Sequence, residues 1–268
     1  MNDDVLWKLV GVWEVLGVFG VGADEVLVPV MEGDSVTLNT DVKTNQQETI
    51  KWYLNDFQIV QINGHQSEIC TNVQCAQRLK DRLKQDHQTG SLTIMNIRST
   101  DSGLYILEII NSGSHSEHIF NVNVYEVSPV KQDKMKRKSV MEGESVTLNT
   151  GAINIPNDLL MWYFNKCPFA EITGDQSTIF KDEQCEERFR DRLKLNQNGS
   201  LTIINTRTTD SGLYHLQITS SSFSISRTPI VLTVIAFSLS TATVAGICAA
   251  VVLVPVAAAT VTVTIANT

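Results

Sequence analysis

The sequence predicts an all-β chain of two tandem antiparallel β-sandwiches followed by one membrane-spanning helix. Three observations carry that prediction: a unit repeated at an offset of about 110 residues, a period of two in the apolar residues of each copy, and a long uncharged tail. VMEGDSVTLNT begins at Val30 and VMEGESVTLNT at Val140, an offset of 110 that Trp52 and Trp162 and the DRLK runs at Asp81 and Asp191 share. GSLTI and DSGLY recur at an offset of 109, from Gly90 to Gly199 and from Asp101 to Asp210. One residue is therefore missing from the second copy between DRLK and GSLTI. Hairpin tips tolerate such deletions, so a hairpin is expected there.

Within the copies, SVTLNT, ETIKWYLN, SLTIMNI, LYILEII and HIFNVNVY alternate or read as half-buried strands, separated by Gly, Asn and Ser clusters. No sustained helical stripe interrupts them between Asp24 and Val234. The expected sandwiches span residues 24–126 and 138–234, joined by a linker over 127–137, VSPVKQDKMKR, around Pro129. The basic run from Lys134 to Lys138 reads as a solvated linker running into a charged strand start.

Both ends carry membrane signals. Residues 1–23 are apolar and close on Val21-Gly22-Ala23, small residues of the kind a signal peptidase needs. The acidic start and the interruptions at Lys8 and Glu14 depart from the usual signal pattern. From Thr241 to Ile265 the chain runs 25 residues without a charge, and a helix crosses the hydrocarbon core in about 20. Pro255 is tolerated in such a span. A lipid anchor at a small residue such as Ser238 or Ser240, with the tail removed, is the alternative. A plasma-membrane protein of type I topology, its N-terminal domains outside the cell, is the expectation. No tyrosine follows Tyr214, so no phosphotyrosine motif trails the span, and no charge within it would pair with an adaptor helix.

Composition excludes several functions. Charged residues at 19% against 43% hydrophobic describe a globular chain, and a net charge of -8 argues against nucleic acid as partner. The histidines His65, His87, His115, His118 and His215 are scattered, with no GxSxG, HExxH or phosphate-binding loop beside them. His115 and His118 read as part of a solvated hairpin before the last strand. No catalytic residue, metal ligand, cofactor or small-molecule substrate is predicted. Asn198-Gly199-Ser200 is the only N-x-S/T sequon and falls on the predicted hairpin, making Asn198 the candidate glycosylation site.

Specific motifs then point to a family. Trp52 in KWYLN and Trp162 in MWYFN stand where variable-type immunoglobulin domains carry the third-strand tryptophan that packs at the centre of the sandwich. Asp101-Ser102-Gly103-Leu104-Tyr105 and Asp210-Ser211-Gly212-Leu213-Tyr214 match the DxGxY motif leading into the sixth strand. The resemblance implies that Tyr105 and Tyr214 anchor that corner and that Asp101 and Asp210 pair with Arg82 and Arg192. The chain departs from the family at the inter-sheet disulfide: Thr40 and Leu107, and Thr150 and Leu216, occupy the cysteine positions. Cys70 with Cys75, and Cys167 with Cys185, are the expected replacement bridges, one per domain, with connectivity open on sequence alone. Cys248 lies in the predicted span.

Variable-type domains without the central disulfide resemble the outermost domain of leukocyte adhesion receptors, including the signalling lymphocytic activation molecule family and the lymphocyte function-associated antigen. Two such domains here depart from the usual pairing with a constant-type domain. The resemblance implies a cell-surface ligand or counter-receptor for another immunoglobulin-superfamily protein, homophilic or heterophilic. An intracellular or secreted structural protein is the rival reading, since cytosolic immunoglobulin domains also lack that bridge. With Trp52 inward, the period of two turns Lys51 and Tyr53 outward on the third strand. On the sixth, Ile106, Glu108 and Ile110 turn out beside them. These five are the expected partner-binding patch, with exposed apolar area on Ile106 and Ile110.

Overall fold

The computed structural model describes residues 25–40, 48–64, 66–149, 159–174, 176–179, 188–189, 191–196 and 198–236. The predicted signal segment 1–23 and the predicted span 241–265 lie outside the described residues. Among those described, no helix is long and apolar enough to cross a membrane.

The first domain is built from β1 (Glu25–Met31), β2 (Ser35–Leu38), β3 (Thr49–Leu54), β4 (Phe57–Asn63), β5 (Gln66–Ile69), the short helix α1 (Val73–Arg78), β6 (Leu83–Gln85), β7 (Leu92–Ile94), β8 (Gly103–Ile110) and β9 (His115–Tyr125). One sheet has the order β1-β9-β8-β3-β4-β5, with β1 parallel to β9. The other holds β2, β7 and β6. A helix α2 (Pro129–Lys136) leads to the second domain. That domain comprises β10 (Arg137–Met141), β11 (Val146–Leu148), β12 (Leu159–Phe164), β13 (Cys167–Thr173), β14 (Gln176–Ile179), β15 (Leu193–Leu195), β16 (Leu201–Ile203), β17 (Gly212–Thr219), β18 (Phe223–Ser226) and β19 (Ile230–Ile235). It repeats the plan: β10 runs parallel to β19, β19 pairs with β17, β17-β12-β13-β14 follow, and β11-β16-β15 form the opposing sheet.

Two elements differ from the sequence reading. The linker is partly helical because Ser128 and Pro129 start a helix without needing an apolar face, and Pro at the first turn loses no hydrogen bond. No stripe accompanies it, so periodicity could not reveal it. His115 and His118 lie in strand β9 rather than in a hairpin loop; the turn sits at Asn111–Ser114, where Asn111 Oδ1 accepts from the Ser114 amide at 2.7 Å.

The cores follow from the alternation. β3 reads half-buried, buried, half-buried throughout, with Ile50, Trp52 and Leu54 inside. Trp52 and Trp162 are 0% and 1% exposed, and each indole N–H donates to a hairpin carbonyl, Gly90 at 2.9 Å and Gly199 at 2.8 Å. Burying an indole requires such an acceptor. The hairpins are the ones that differ in length between copies: six residues join β6 to β7, from Asp86 to Ser91, and five join β15 to β16, from Asn196 to Ser200. Tyr105 Oη donates to the Asp101 carbonyl at 2.9 Å and Tyr214 Oη to that of Asp210 at 2.8 Å. The motif glycines matter sterically: a Cβ on Gly212 would lie 2.6 Å from the Phe164 ring, and one on Gly103 2.7 Å from Asn55 Oδ1.

Where the family bridge is missing, Leu107 and Leu216 are 0% and 2% exposed, and Thr40 is buried with its hydroxyl donating to the Thr89 carbonyl. Apolar packing and one hydrogen bond fill the place of two sulfurs. Cys70 and Cys75 are bonded, their Cα atoms 5.0 Å apart, tying the end of β5 to α1. Cys167, on β13, is also disulfide-bonded, while Cys185 lies outside the described residues.

Asp101 and Asp210 are fully buried. Arg82 meets Asp101 through Nη1 at 2.5 Å and Nη2 at 3.0 Å, and Arg192 meets Asp210 at 2.6 and 2.8 Å. Each carboxylate also accepts a backbone N–H at 2.9 Å, from Arg98 and Arg207. These bidentate ion pairs close the bottom of each sandwich, with Arg192 Nε left buried without an acceptor.

The domains share a sheet. β18 pairs antiparallel with β2, Phe223 opposite Leu38 and Ser226 opposite Ser35, so one sheet runs from β14 of the second domain to β6 of the first. The cause is a one-residue bulge. In the first domain β8 and β9 pair without interruption from Gly103↔Val122 to Ile110↔His115. In the second, the register shifts between Gln217↔Ser226 and Tyr214↔Ile230, so Arg227-Thr228-Pro229 bulges between β18 and β19. The bulge turns Arg227 onto Asp34 of the first domain at 2.7 Å. The Thr228 amide adds a bond to Asp34 at 2.9 Å, and the Thr228 hydroxyl donates to the Gly33 carbonyl at 3.0 Å. Burial pushes the Asp34 carboxyl above its ordinary range even with Arg227 pulling the other way.

His215 on β17 is half-buried, its Nε2 3.3 Å from Ser226 Oγ, and burial lowers its pKa below 6.5. The unfolded chain then binds that proton more readily than the folded one. The second domain should gain stability as pH rises through the interval between the lowered folded pKa and 6.5. His215→Gln should flatten this rise in denaturation curves taken at a series of pH values; an unchanged slope would assign it to other groups.

Candidate recognition face

The outward side of the β1-to-β5 sheet is the candidate site. β3 and β8 are direct neighbours, with Lys51 opposite Glu108, Tyr53 opposite Ile106 and Thr49 opposite Ile110. Lys51, Tyr53, Ile106, Glu108 and Ile110 therefore lie on one face, and beneath them Ile50, Trp52, Leu107 and Ile109 fill the core. All five are half-buried rather than fully exposed. The isoleucines present only part of their apolar area because side chains of adjoining strands flank them, as the close spacing of cross-strand pairs requires.

Tyr53 Oη donates to Glu108 Oε2 at 3.1 Å, which joins the two strands across the face. Partial burial raises the phenol pKa, and the adjacent Glu108 carboxylate raises it further. Tyr53 thus stays a neutral donor with its ring held in place, a rigid amphipathic group of the kind that anchors protein contacts.

The face is wider than two strands. Register places Glu117 beside Glu108 and Ile119 beside Ile106 on β9, while Gln61 lies beside Lys51 on β4 and Glu68 beside Gln61 on β5. One row across the sheet thus reads Glu117, Glu108, Lys51, Gln61, Glu68. A second reads Ile119, Ile106, Tyr53, Gln58. Strand-by-strand reading missed the outer members because β4 and β5 have no repeated motif; the alternation in FQIVQIN was the available signal.

In the second domain the same positions hold Met161, Tyr163, His215, Gln217 and Thr219. Tyr163 Oη lies 3.5 Å from Gln217 Oε1. Of the charged row only Glu171, opposite Met161, remains, so the two faces are chemically different surfaces on one scaffold. Asn198 is exposed at the β15–β16 hairpin, remote in sequence from both faces, with its Oδ1 accepting from the Ser200 amide at 3.0 Å.

Two layered antiparallel sheets, a tryptophan over a tyrosine corner and a buried Arg–Asp pair define immunoglobulin domains. The immunoglobulin I-set domain family matches residues 25–124 and the immunoglobulin V-set domain family matches residues 134–235. The chain belongs to the immunoglobulin superfamily. Its first domain matches the I-set rather than the variable set expected for both, although β4 and β5 extend its sheet as in variable-type domains.

Human hemicentin-1 is 28% identical over 133 residues, covering 47% of this chain and 2% of hemicentin-1. Human CD48 antigen is 23% identical over 148 residues, covering 54% of this chain and 58% of CD48. The chain thus spans less than two thirds of the length of these curated relatives. Among solved structures, the first Ig-like domain of human CD48 antigen shares 26% identity over 42% of this chain and 91% of that domain, with a TM-score of 0.35.

Proposed function

We propose that this protein is a cell-surface recognition molecule, a ligand or counter-receptor that binds another immunoglobulin-superfamily protein through the outer face of its first domain. The observation that carries the reading is the coherent patch on β3 and β8, where Tyr53 is locked to Glu108 between Lys51 and two isoleucines. Such a patch combines an aromatic anchor and desolvating apolar area with charges that set partner choice more than affinity. The similarity to CD48 antigen supports the reading. Residues 241–265 would hold the protein in the plasma membrane, as a span or through a lipid anchor that replaces it. Single contacts would be weak and gain strength from many copies on opposed membranes.

The test uses the chain displayed in many copies on a cell or bead, exposed to a panel of cell types. Some cell population should be captured, and Tyr53→Ala or Ile106→Asp should lower capture at least about tenfold while leaving surface display unchanged. Undiminished capture by both variants would place the contact on another face. Capture of no cell type by the unaltered chain would remove the recognition reading altogether. Treatment with a phosphatidylinositol-specific phospholipase separates the anchors, since it releases only the lipid-linked form.

A further inference from the structure

The outward face of the second domain repeats the layout of the recognition face with most of its charges removed. The row that reads Glu117, Glu108, Lys51, Gln61, Glu68 in the first domain reads Ser226, Gln217, Met161, Glu171, Thr178 in the second. Next to it Tyr163 and His215 lie side by side, their ring centroids 5.9 Å apart. Toward the end of β19 the face turns apolar. Leu213 pairs with Val231 across β17 and β19, and Met141 with Ile235 across β10 and β19. Leu213, Val231, Met141 and Ile235 are 42%, 46%, 38% and 48% exposed, while Tyr214, Leu232, Val140 and Val234 on the other side of the same strands fill the core. The period of two therefore holds the four in solvent, and large apolar side chains grouped on one exposed face mark a contact surface.

Charge and symmetry point to what covers it. Self-pairing of the first-domain face would set Glu68, Glu108 and Glu117 of one copy against the same residues of another, with Lys51 alone to offset them. On the second domain, the charged residues at the outward positions of β10, β12, β13, β17 and β19 are Arg137 and Glu171, one of each sign. His215 adds no charge at neutral pH, because burial lowers its pKa. Arg137 and Glu171 stand at opposite margins, on β10 and β13, with β19, β17 and β12 between them. A twofold axis along β17 lays β13 of one copy across β10 of the other and turns each charge toward its opposite. An axis parallel to the strands also sends both chains out in the same direction, as two copies rooted in one membrane need.

We propose that the second domain pairs with the second domain of another copy of this chain, face to face, as a twofold dimer centred on Leu213, Val231 and Tyr163. Five strands about 4.8 Å apart and six residues of about 3.3 Å each give a footprint of roughly 500 Å² per copy. Stable complexes use about 800 Å² per partner, so the dimer is weak in solution and fills when copies are confined side by side. The first-domain faces stay free and are presented in pairs. The pairing does not depend on what those faces bind.

The test is sedimentation of the full chain in non-ionic detergent, from about 1 µM to about 1 mM. A monomer–dimer equilibrium with a dissociation constant of about 100 µM is expected. Val231→Glu and, separately, Leu213→Glu should each weaken it at least about tenfold by setting like charges against each other across the axis. Both positions are solvent-facing, so the melting temperature should stay unchanged, and either variant suffices if the other folds poorly. Ile106→Asp, on the first-domain face, should leave the dimer intact. Monomers throughout the range would assign the face to a different occupant and overturn the proposal. So would a dimer that both glutamate variants leave intact, or one that Ile106→Asp abolishes. No partner cell enters the measurement, so its failure would leave the capture experiment standing, and failure of capture would leave the dimer standing.

Discussion

Asp101→Ala should destabilise the first domain by ~3–5 kcal/mol, because it leaves the guanidinium of Arg82 buried without its counter-ion. The side chain of Asp101 is 0% exposed and that of Arg82 11%, so neither solvent nor salt can compensate. The same substitution removes the acceptor of the Arg98 amide and the neighbour of Arg78, whose Nε lies 3.7 Å away. A domain with about 5–15 kcal/mol in total would lose a large fraction of its stability. Urea denaturation of the chain should show the first domain unfolding at markedly lower denaturant while the second keeps its midpoint. The double variant Arg82→Met with Asp101→Leu should cost less than the single change, since nothing charged remains to be solvated. Equal costs for the single and double variants would show that the ions are not coupled. Asp210→Ala should repeat the result in the second domain, where Arg192 is still more enclosed at 7%.

Arg227→Ala should have a comparable energetic effect with a different outcome. It strands Asp34, 5% exposed in its side chain, at the junction of two domains rather than inside one. A stranded carboxylate in a core can reach water only if the domain unfolds, whereas Asp34 can reach it if the domains part. The roughly 3–5 kcal/mol associated with breaking a buried pair should therefore appear as loss of the fixed interdomain angle. The melting of either sandwich should change little. Small-angle scattering should show a larger radius of gyration and a broader distance distribution for Arg227→Ala than for the unaltered chain. Superimposable curves would mean that the β2–β18 pairing holds the domains without the ion pair. Thr228→Ala, which removes the hydroxyl's bonds to the Gly33 carbonyl and to Asp34 Oδ1 but leaves the Thr228 amide on Asp34, should move the curves far less.

The contrast between these two ion pairs also marks what could be read from the sequence. Arg82–Asp101 was legible because both residues sit in motifs that occur twice, at positions the repeat itself aligns. Trp52, Tyr105 and the alternation through β3 and β8 were legible for the same reason, and the five face residues follow from counting in twos. Arg227–Asp34 belongs to only one copy. Its signal was an arithmetical mismatch: DSGLY recurs at an offset of 109, yet the pairings Gly103↔Val122 and Gly212↔Leu232 require an offset of 110 beyond it. The extra residue between β17 and β19 is the bulge, and a bulge is visible in sequence only when the copies are aligned through the last strand. The joint itself is a contact between residues 193 positions apart, and no local pattern encodes such a distance. Helix α2 escaped for the opposite reason, being local but without an apolar stripe.

The shared sheet also sets a schedule for biosynthesis. All strands of the first domain have been made once Tyr125 is complete, yet the strand that covers the outer edge of β2 ends at Ser226, about 100 residues later. At roughly 5–20 residues per second the ribosome needs about 5–20 s to deliver it. Throughout that interval the first sandwich is finished except for an uncovered strand edge, SVTL, rich in β-formers and free of charge. Nascent chains crowded on one messenger would meet one another through that edge. That exposure ends when β18 pairs with β2.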